Sequence, residues 1–336
     1  MPTLSELGTG ARVAGPLLVL EIALRTLGSH PATVLTLGDA SARLPSAPFW
    51  SDARQRVAGL RPGDVVEVVG RIGAYRGRRQ LEVETIQRVA SDLVDLRSLL
   101  PTVGPVEPYW CALDQWRGDI GSPGLARVLA LFYDDPAFRR RFEILPASLS
   151  SHHAALGGLL RHTYEVAAIG RTLAELAGAD RDLVVAGALL HDLGKLESYQ
   201  WEGRFDLTEA GALLGHVVLG ARMLDRRVRQ TAEGSCSARE LDILLHLILS
   251  HHGKVEFGAA VPPATLEAEI LHYADDASAK SASMVEALAD PGNFAGAEGL
   301  SVGGIRQLDG RRVYRSGAEW KDDSAALNAE RPPSRG

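Results

Sequence analysis

Nine of the ten histidines in this 336-residue chain lie between residues 152 and 272. Among them, five groups of histidine and carboxylate stand out. His191-Asp192-Leu193-Gly194-Lys195 closes an apolar stretch, His162 lies 29 positions before His191, and His216 lies 24 positions after Asp192. His251-His252 precedes Gly253, and Asp275-Asp276 sits in a long segment of helical character. Neutral imidazole and carboxylate are ligands for first-row divalent metals. No cysteine stands near them, so an N/O site for Mn, Fe, Co or Zn is expected rather than a thiolate zinc site. Such a set suits phosphodiester hydrolysis. That reaction needs a hydroxide at neutral pH and neutralisation of charge on the attacking and leaving oxygens, which two ions about 3.5–4 Å apart supply. A carboxylate such as Asp192 could bridge them, and Lys195, just past Gly194 at the expected helix end, could reach a phosphate oxygen. Each piece alone has a plainer reading. His251 could be a helix-end dipole partner, His246 and His272 packed core residues, and His152-His153 a helix start. The five groups together favour metal.

The elements that must hold these residues are helices. Apolar residues recur at helical spacing through Leu125–Phe132 and Leu156–Ala167. Further helical stretches are expected over Leu183–Leu190, Leu213–Leu224, Leu241–Leu249 and Leu266–Leu288, giving an all-α bundle. Residues 12–90 read as β. Runs at Leu17–Ile22, Thr33–Leu37, Val65–Val69 and Leu81–Ile86 are bounded by Gly, Pro and Asp, with a short helix expected within 51–60. Several short strands without a βαβ rhythm predict a small barrel, with an OB-fold the natural candidate. The expected fold class is multidomain α+β: an N-terminal OB-type barrel over 1–90, a Pro/Gly-rich linker over 91–122, a helical domain over 123–315 and a frayed polar tail over 316–336.

Composition bounds the rest. The apolar fraction of 46% and charged fraction of 23% are those of an ordinary globular chain. No apolar run approaches the roughly 18 residues of a membrane span. Val13–Leu20 reads as a strand and not a signal-peptide core, because Glu6 and Glu21 flank it. Two cysteines, Cys111 and Cys236, lie far apart. They form no disulfide framework, and a reducing cytoplasm is expected. The net charge of −6 is unevenly spread: 11 Arg against 8 acids give residues 1–90 a charge of +3, leaving −9 for the remainder. Chance explains such an asymmetry as well as a nucleic-acid-binding part does. Within the basic part, Arg71, Tyr75, Arg76, Arg78 and Arg79 crowd one expected hairpin. Arginine tracks phosphates and an aromatic ring stacks any base, although a solvated hairpin is the alternative. Phe49 and Trp50 are either a second platform or barrel plugs.

The order His … His-Asp … Asp resembles the HD-domain metal-dependent phosphohydrolases. Two longer strings narrow this. Phe142-Glu-Ile-Leu-Pro-Ala-Ser-Leu-Ser-Ser-His-His-Ala-Ala-Leu-Gly-Gly-Leu-Leu-Arg-His162-Thr163 is one. Leu247-Ile-Leu-Ser-His-His-Gly-Lys254, followed by Glu256-Phe257-Gly258 and Pro262, is the other. Both are similar to strings of the bacterial YhaM-type 3′→5′ exoribonucleases, which join an OB-fold to an HD domain. Val69-Gly-Arg-Ile-Gly-Ala-Tyr-Arg-Gly-Arg-Arg-Gln-Leu-Glu-Val83 is similar to that family's barrel strands. The resemblance covers about residues 12–315. No Gly-Tyr-Pro string follows the His-Asp pair, which speaks against a cyclic-dinucleotide phosphodiesterase. Ala277 and Ser278 replace larger or acidic family residues, and residues 41–60 match no family string.

The resemblance implies a first metal set of His162, His191, Asp192 and Asp275, with Asp275 preferred to Asp276 because it follows His272-Tyr273-Ala274. It implies a second set of His216, His251 and His252, with His153 near the site. Asp192 and Lys195 are the expected catalytic residues, and two divalent ions the expected cofactors: Mn²⁺ first, then Co²⁺, Fe²⁺ or Zn²⁺. The implied activity is 3′→5′ hydrolysis of single-stranded RNA, with single-stranded DNA as a further substrate, no membrane partner, and self-association left open. The alternatives are a phosphohydrolase of free nucleotides and a non-catalytic RNA-binding adaptor.

Overall fold

The computed structural model describes residues 3–27, 29–75, 78–90, 94–149, 153–201, 204–231 and 234–316. The described residues form two compact units, divided between Ala279 and Lys280.

The first unit opens with strands β1 (Arg12–Leu27), β2 (His30–Gly38), β3 (Arg43–Pro45), β4 (Val65–Tyr75) and β5 (Arg78–Val89). They form one antiparallel sheet in the order β3-β2-β1-β4-β5. Its two edges meet: Ser46 bridges Leu81 in parallel register, and the Ala47 amide donates to the Leu81 carbonyl at 2.8 Å. Five strands closed in this way are the barrel expected of an OB-fold. Alternate residues of the strands fill it, with Leu17, Val19, Leu35, Leu37, Val66, Val68 and Leu81 all buried. Phe49 is a plug in that core, whereas Trp50 beside it is exposed.

β3 falls within 41–60, where the third barrel strand has no legible run because three residues are too few for an alternation to show. The short helix expected within 51–60 contracts to a 3-10 turn at Arg54–Val57, where only Val57 is buried and no apolar stripe supports a longer helix.

Residues 91–122 are not merely a connector. Leu99 and Leu100 pack with Leu18 and Val65 of the barrel, and helix α1 (Glu107–Gly118) follows. Its proline lies in the first helical turn, where no amide hydrogen bond is lost. Trp110 and Leu113 then anchor α1 in the helical core.

That core gathers α2 (Pro123–Tyr133), α3 (Pro136–Ile144), α4 (Gly158–Ala177), α5 (Arg181–Leu190), the single turn α6 (Lys195–Ser198), α7 (Glu209–Arg229), α8 (Ala238–Ser250) and α9 (Leu266–Ala289). A hairpin of β6 (Tyr199–Trp201) and β7 (Phe205–Leu207) sits between α6 and α7. The starts are written locally: Ser122, Asp135, Asp180, Thr208 and Ser237 each cap a helix through the side chain. Phe132, Tyr133, Phe142, Leu159, Leu190 and Leu247 fill the centre, and the buried Tyr133 hydroxyl donates to the Leu189 carbonyl at 2.8 Å.

In the second unit, β8 (Gly299–Leu300) pairs with β9 (Tyr314–Arg315). Phe294, Leu308 and Val313 pack with Ala287 there, and the Arg315 guanidinium lies 3.9 Å from the Phe294 ring centre. Of the tail expected over 316–336, residues 317–336 lie outside the described residues. No helix among the described residues is long and apolar enough to cross a membrane.

Candidate metal centre

The bundle brings all seven residues of the two expected ligand sets around one carboxylate. Asp192 Oδ2 lies 3.2 Å from His191 Nε2 and 3.5 Å from His162 Nε2, and Asp275 Oδ1 lies 3.0 Å from His162 Nε2. Asp192 Oδ1 points the other way, 3.5 Å from His216 Nε2 and 3.9 Å from His251 Nε2. His252 Nε2 completes that side, 3.2 Å from His216 Nε2. Two ligand atoms bonded to one first-row ion at about 2.0–2.2 Å stand about 3–4 Å apart, so these separations suit metal ligands. Among the described residues, Asp192 Oδ1 and His251 Nε2 are buried and lack a hydrogen-bond partner. Such orphans are costly unless something else binds them, and a cation is what a carboxylate oxygen and an imidazole nitrogen share. The residues therefore fit a divalent metal.

Backbone carbonyls orient the rings. His191 Nδ1 donates to Ala188 O at 2.7 Å, His251 Nδ1 to Ile248 O at 2.7 Å and His252 Nδ1 to Phe257 O at 2.8 Å. Each bond fixes the proton on Nδ1 and leaves the Nε2 lone pair for metal. Electrostatics favour the same state. Burial, reinforced by Lys195, pushes His216 down to about 3. Burial, then His252 and His191, push His251 well down, and burial lowers His162 despite Asp275. For His191, burial lowers the pKa but the Asp192 carboxylate raises it more. Burial opposes charge on Asp192, yet Lys195 and His191 hold it well below the usual carboxylate range; for Asp275 His162 overcomes the same penalty. Carboxylates ionised beside mostly neutral imidazoles are what metal binding requires.

Lys195 and Gly194 depart from expectation. The Lys195 ammonium is buried and sits 2.6 Å from Asp192 Oδ2, so it clamps the shared carboxylate. Gly194 does not end a helix through a left-handed residue: its φ is −66°. It is glycine because a Cβ there would lie 1.8 Å from the His216 carbonyl oxygen and 2.4 Å from the Gly220 nitrogen. The turn carrying Asp192 and Lys195 is thereby pressed onto α7. Within α7, Gly215 at φ 71° and ψ 158° breaks the helix just before His216 and aims that histidine.

Behind His162 lies a layer in which His153 takes the place expected near the site and Glu165 and Ser278 are additions that the sequence did not point to. His162 Nδ1 lies 3.0 Å from Ser278 Oγ, Ser278 donates to Glu165 Oε2 at 2.8 Å, and His153 Nε2 donates to the same oxygen at 2.8 Å. Arg161 Nε donates to Glu165 Oε1 at 2.8 Å. With the Ser278 proton committed to a carboxylate, His162 must donate from Nδ1, leaving Nε2 bare. The signal available was Glu165 one helical turn after His162. Partial burial opposes charge on Glu165, but His153, Arg161 and Ser278 hold its pKa at about 2. Because this value is depressed, the stability it contributes is complete above about pH 4.5 and is lost as pH falls toward about 2. We expect Glu165→Gln and Ser278→Ala each to weaken divalent-ion binding at the His162 side about 10–100-fold, leaving the His216 side unchanged. Calorimetric titration with Mn²⁺ resolves the two; a Glu165→Gln protein that binds as the wild type does would remove this layer from the account.

The hairpin residues of the barrel are placed less uniformly. The Tyr75 ring is exposed. Arg71 is exposed and pairs with Glu84 at 3.2 Å. Arg79 has a different task, donating to the Leu4 and Leu7 carbonyls at 3.3 and 2.9 Å, which ties down the N-terminal turn. Arg76 and the Arg78 side chain lie outside the described residues.

Known proteins are similar to this chain over most of its length. The HD domain model matches residues 159–280. The chain is 32% identical to the 3′-5′ exoribonuclease YhaM of Bacillus licheniformis over 309 residues, covering 89% of this chain and 93% of that protein. It is 32% identical to the Bacillus subtilis YhaM over 82% of this chain and 88% of that protein. Against the Shouchella clausii YhaM the identity is 32% over 91% and 94%. With HD-domain residues gathered around one buried carboxylate and similarity over most of both chains, the chain belongs to the YhaM family of 3′-5′ exoribonucleases, metal-dependent hydrolases of the HD type.

Proposed function

We propose that this protein is a cytoplasmic, divalent-metal-dependent 3′→5′ exonuclease of single-stranded RNA, with single-stranded DNA as a secondary substrate. The observation that carries the reading is Asp192, whose two oxygens face two separate ligand sets 3.2–3.9 Å away. His162, His191, Asp192 and Asp275 would hold one ion. His216, His251, His252 and the second oxygen of Asp192 would hold the other. We favour Mn²⁺ on the family resemblance; two carboxylates without thiolate admit it, and the five imidazoles admit Co²⁺, Fe²⁺ or Zn²⁺ as well. Divalent ions held there supply the Lewis acidity that activates water and neutralises phosphate charge.

The chain's own groups do the rest. Lys195 holds Asp192 in the orientation that serves both sets. Backbone carbonyls lock the rings of His191, His251 and His252, so little reorganisation accompanies reaction. His162, His191 and His251 are buried, whereas His216, His252 and Asp275 are partly exposed, so the strand's end would enter over these three. The barrel hairpin with Arg71, Tyr75, Arg76 and Arg78 would hold the strand upstream, by phosphate contact and stacking. The two cysteines are unpaired, which supports a reducing compartment.

The test is RNA carrying a 5′ label, incubated with the protein and Mn²⁺. A ladder shortened from the 3′ end, abolished by chelation, is the expected result. Intact RNA alongside turnover of free nucleotides would sink the exonuclease reading. In the same assay, changing Tyr75, Arg76 and Arg78 together to Ala should slow long strands and spare a dinucleotide; equal slowing of both would remove the hairpin from the substrate path.

A further inference from the structure

The metal centre explains His252 but not the turn built onto it. After α8 the chain reads Gly253-Lys254-Val255-Glu256-Phe257-Gly258, and Val255–Phe257 form a 3-10 turn. The turn is closed by its own backbone: the Phe257 amide donates to Lys254 O at 2.9 Å, Ala259 N to Lys254 O at 3.2 Å, and Ala260 N to Leu249 O at 2.8 Å. It is also fastened to the centre. The Phe257 carbonyl accepts the His252 Nδ1 proton at 2.8 Å, and a Cβ at Gly258 would stand 3.2 Å from that nitrogen. Phe257 thus cannot move without moving a residue of the metal centre.

The Phe257 side chain is nonetheless 61% exposed. Exposure alone means little, since other large apolar side chains of this chain are exposed as well. Two features separate Phe257 from them. Its backbone touches a residue of the centre, and a cation lies against its ring, the Lys254 ammonium 5.5 Å from the ring centre. That ammonium is itself exposed and paired only loosely with Glu256, at 3.5 Å. A rigid exposed aromatic face beside a cation, fixed at the open side of a phosphodiesterase centre, is what a nucleotide needs: the face stacks the base and the ammonium attracts phosphate.

We propose that Phe257, with Lys254, is a base-stacking platform for a nucleotide flanking the scissile phosphate. The proposal rests on the exonuclease reading above. It gives the HD domain its own grip on the strand end, independent of the barrel. It also implies tolerance of sequence, because every base has a face to stack. It further implies that very short products remain bound after they no longer reach the barrel.

The test couples the residue to the base. The full-length chain with Mn²⁺ would be assayed on a short RNA, on the same RNA with an abasic 3′-terminal nucleotide, and on one with an abasic penultimate nucleotide. Phe257→Ala should raise KM on the intact strand about five- to a hundredfold, with kcat and bound Mn²⁺ little changed, and Phe257→Trp should behave as wild type. On one of the abasic strands the wild type and Phe257→Ala should become equal. If Phe257→Ala slows intact and both abasic strands by the same factor, or loses metal, the side chain merely supports His252 and the platform is overturned. A wild-type protein that shortens no RNA overturns the exonuclease reading, and the platform falls with it; a protein that shortens RNA without this coupling overturns the platform alone.

Discussion

Asp192→Asn is expected to lower kcat/KM on RNA at least about a thousandfold at saturating Mn²⁺, because the change removes charge from both sides of the centre together. Several kcal/mol of electrostatic stabilisation are at stake, and each 1.36 kcal/mol is tenfold. Asp192→Ala should do the same and also unfold more easily. Lys195 is buried against Asp192 at 2.6 Å, and removing one partner of a buried ion pair costs about 3–5 kcal/mol, since the other charge is left in a poor medium. The double variant Asp192→Ala/Lys195→Met removes both charges. It should recover most of the lost melting temperature and none of the activity. Melting curves, metal content and turnover on the three proteins check this together. Near-normal turnover of Asp192→Asn would refute the shared carboxylate, and an Asp192→Ala protein as stable as wild type would refute the clamp.

Gly194→Ala should be nearly as damaging, although the substitution adds one methyl group and no charge. The added carbon meets the His216 carbonyl at 1.8 Å and the Gly220 amide nitrogen at 2.4 Å. Both are backbone atoms, so no side-chain rotation relieves the overlap and the Asp192 turn must back away from α7. Overpacking of this kind costs about 1–3 kcal/mol. The larger effect is on geometry, because His216 rides on the displaced backbone and a shift of about 1 Å at a reacting centre costs about a hundredfold in rate. Gly178→Ala, at the C-terminal end of α4, is the comparison. That site has a left-handed φ of 68° and nothing within 4 Å of an added Cβ, so only backbone strain of about 1–2 kcal/mol is expected. Turnover should fall much further for Gly194→Ala than for Gly178→Ala. The reverse order, or an unchanged Gly194→Ala enzyme, would show that the approach of these two backbones is not what places His216.

Much of this protein is legible before folding is considered. His162, His191, Asp192, His216, His251, His252 and Asp275 stand out by residue type, because few arrangements other than a metal centre call for so many imidazoles on helices. The strands at 17–22, 33–37, 65–69 and 81–86 and the helices from 123 onward are written in local periods of two and 3.6 residues. A period is a statement about one face of one element, and it cannot report which atoms meet across elements. That is why Ser278, 116 residues from His162 in sequence, stands out only as a departure from a family pattern. It is also why the spacing points Lys195 at a phosphate although folding turns it inward onto Asp192, and why Gly194 has the look of a helix end although its role is a backbone contact with α7. Arg79 looked like its neighbours in a basic hairpin until the N-terminal turn came to rest against it. Residue type and local period name the candidate donors, their chemistry and the elements that carry them. Which oxygen of Asp192 faces which histidines comes from folding, because that division is set by helix packing to within an ångström and no residue type encodes it.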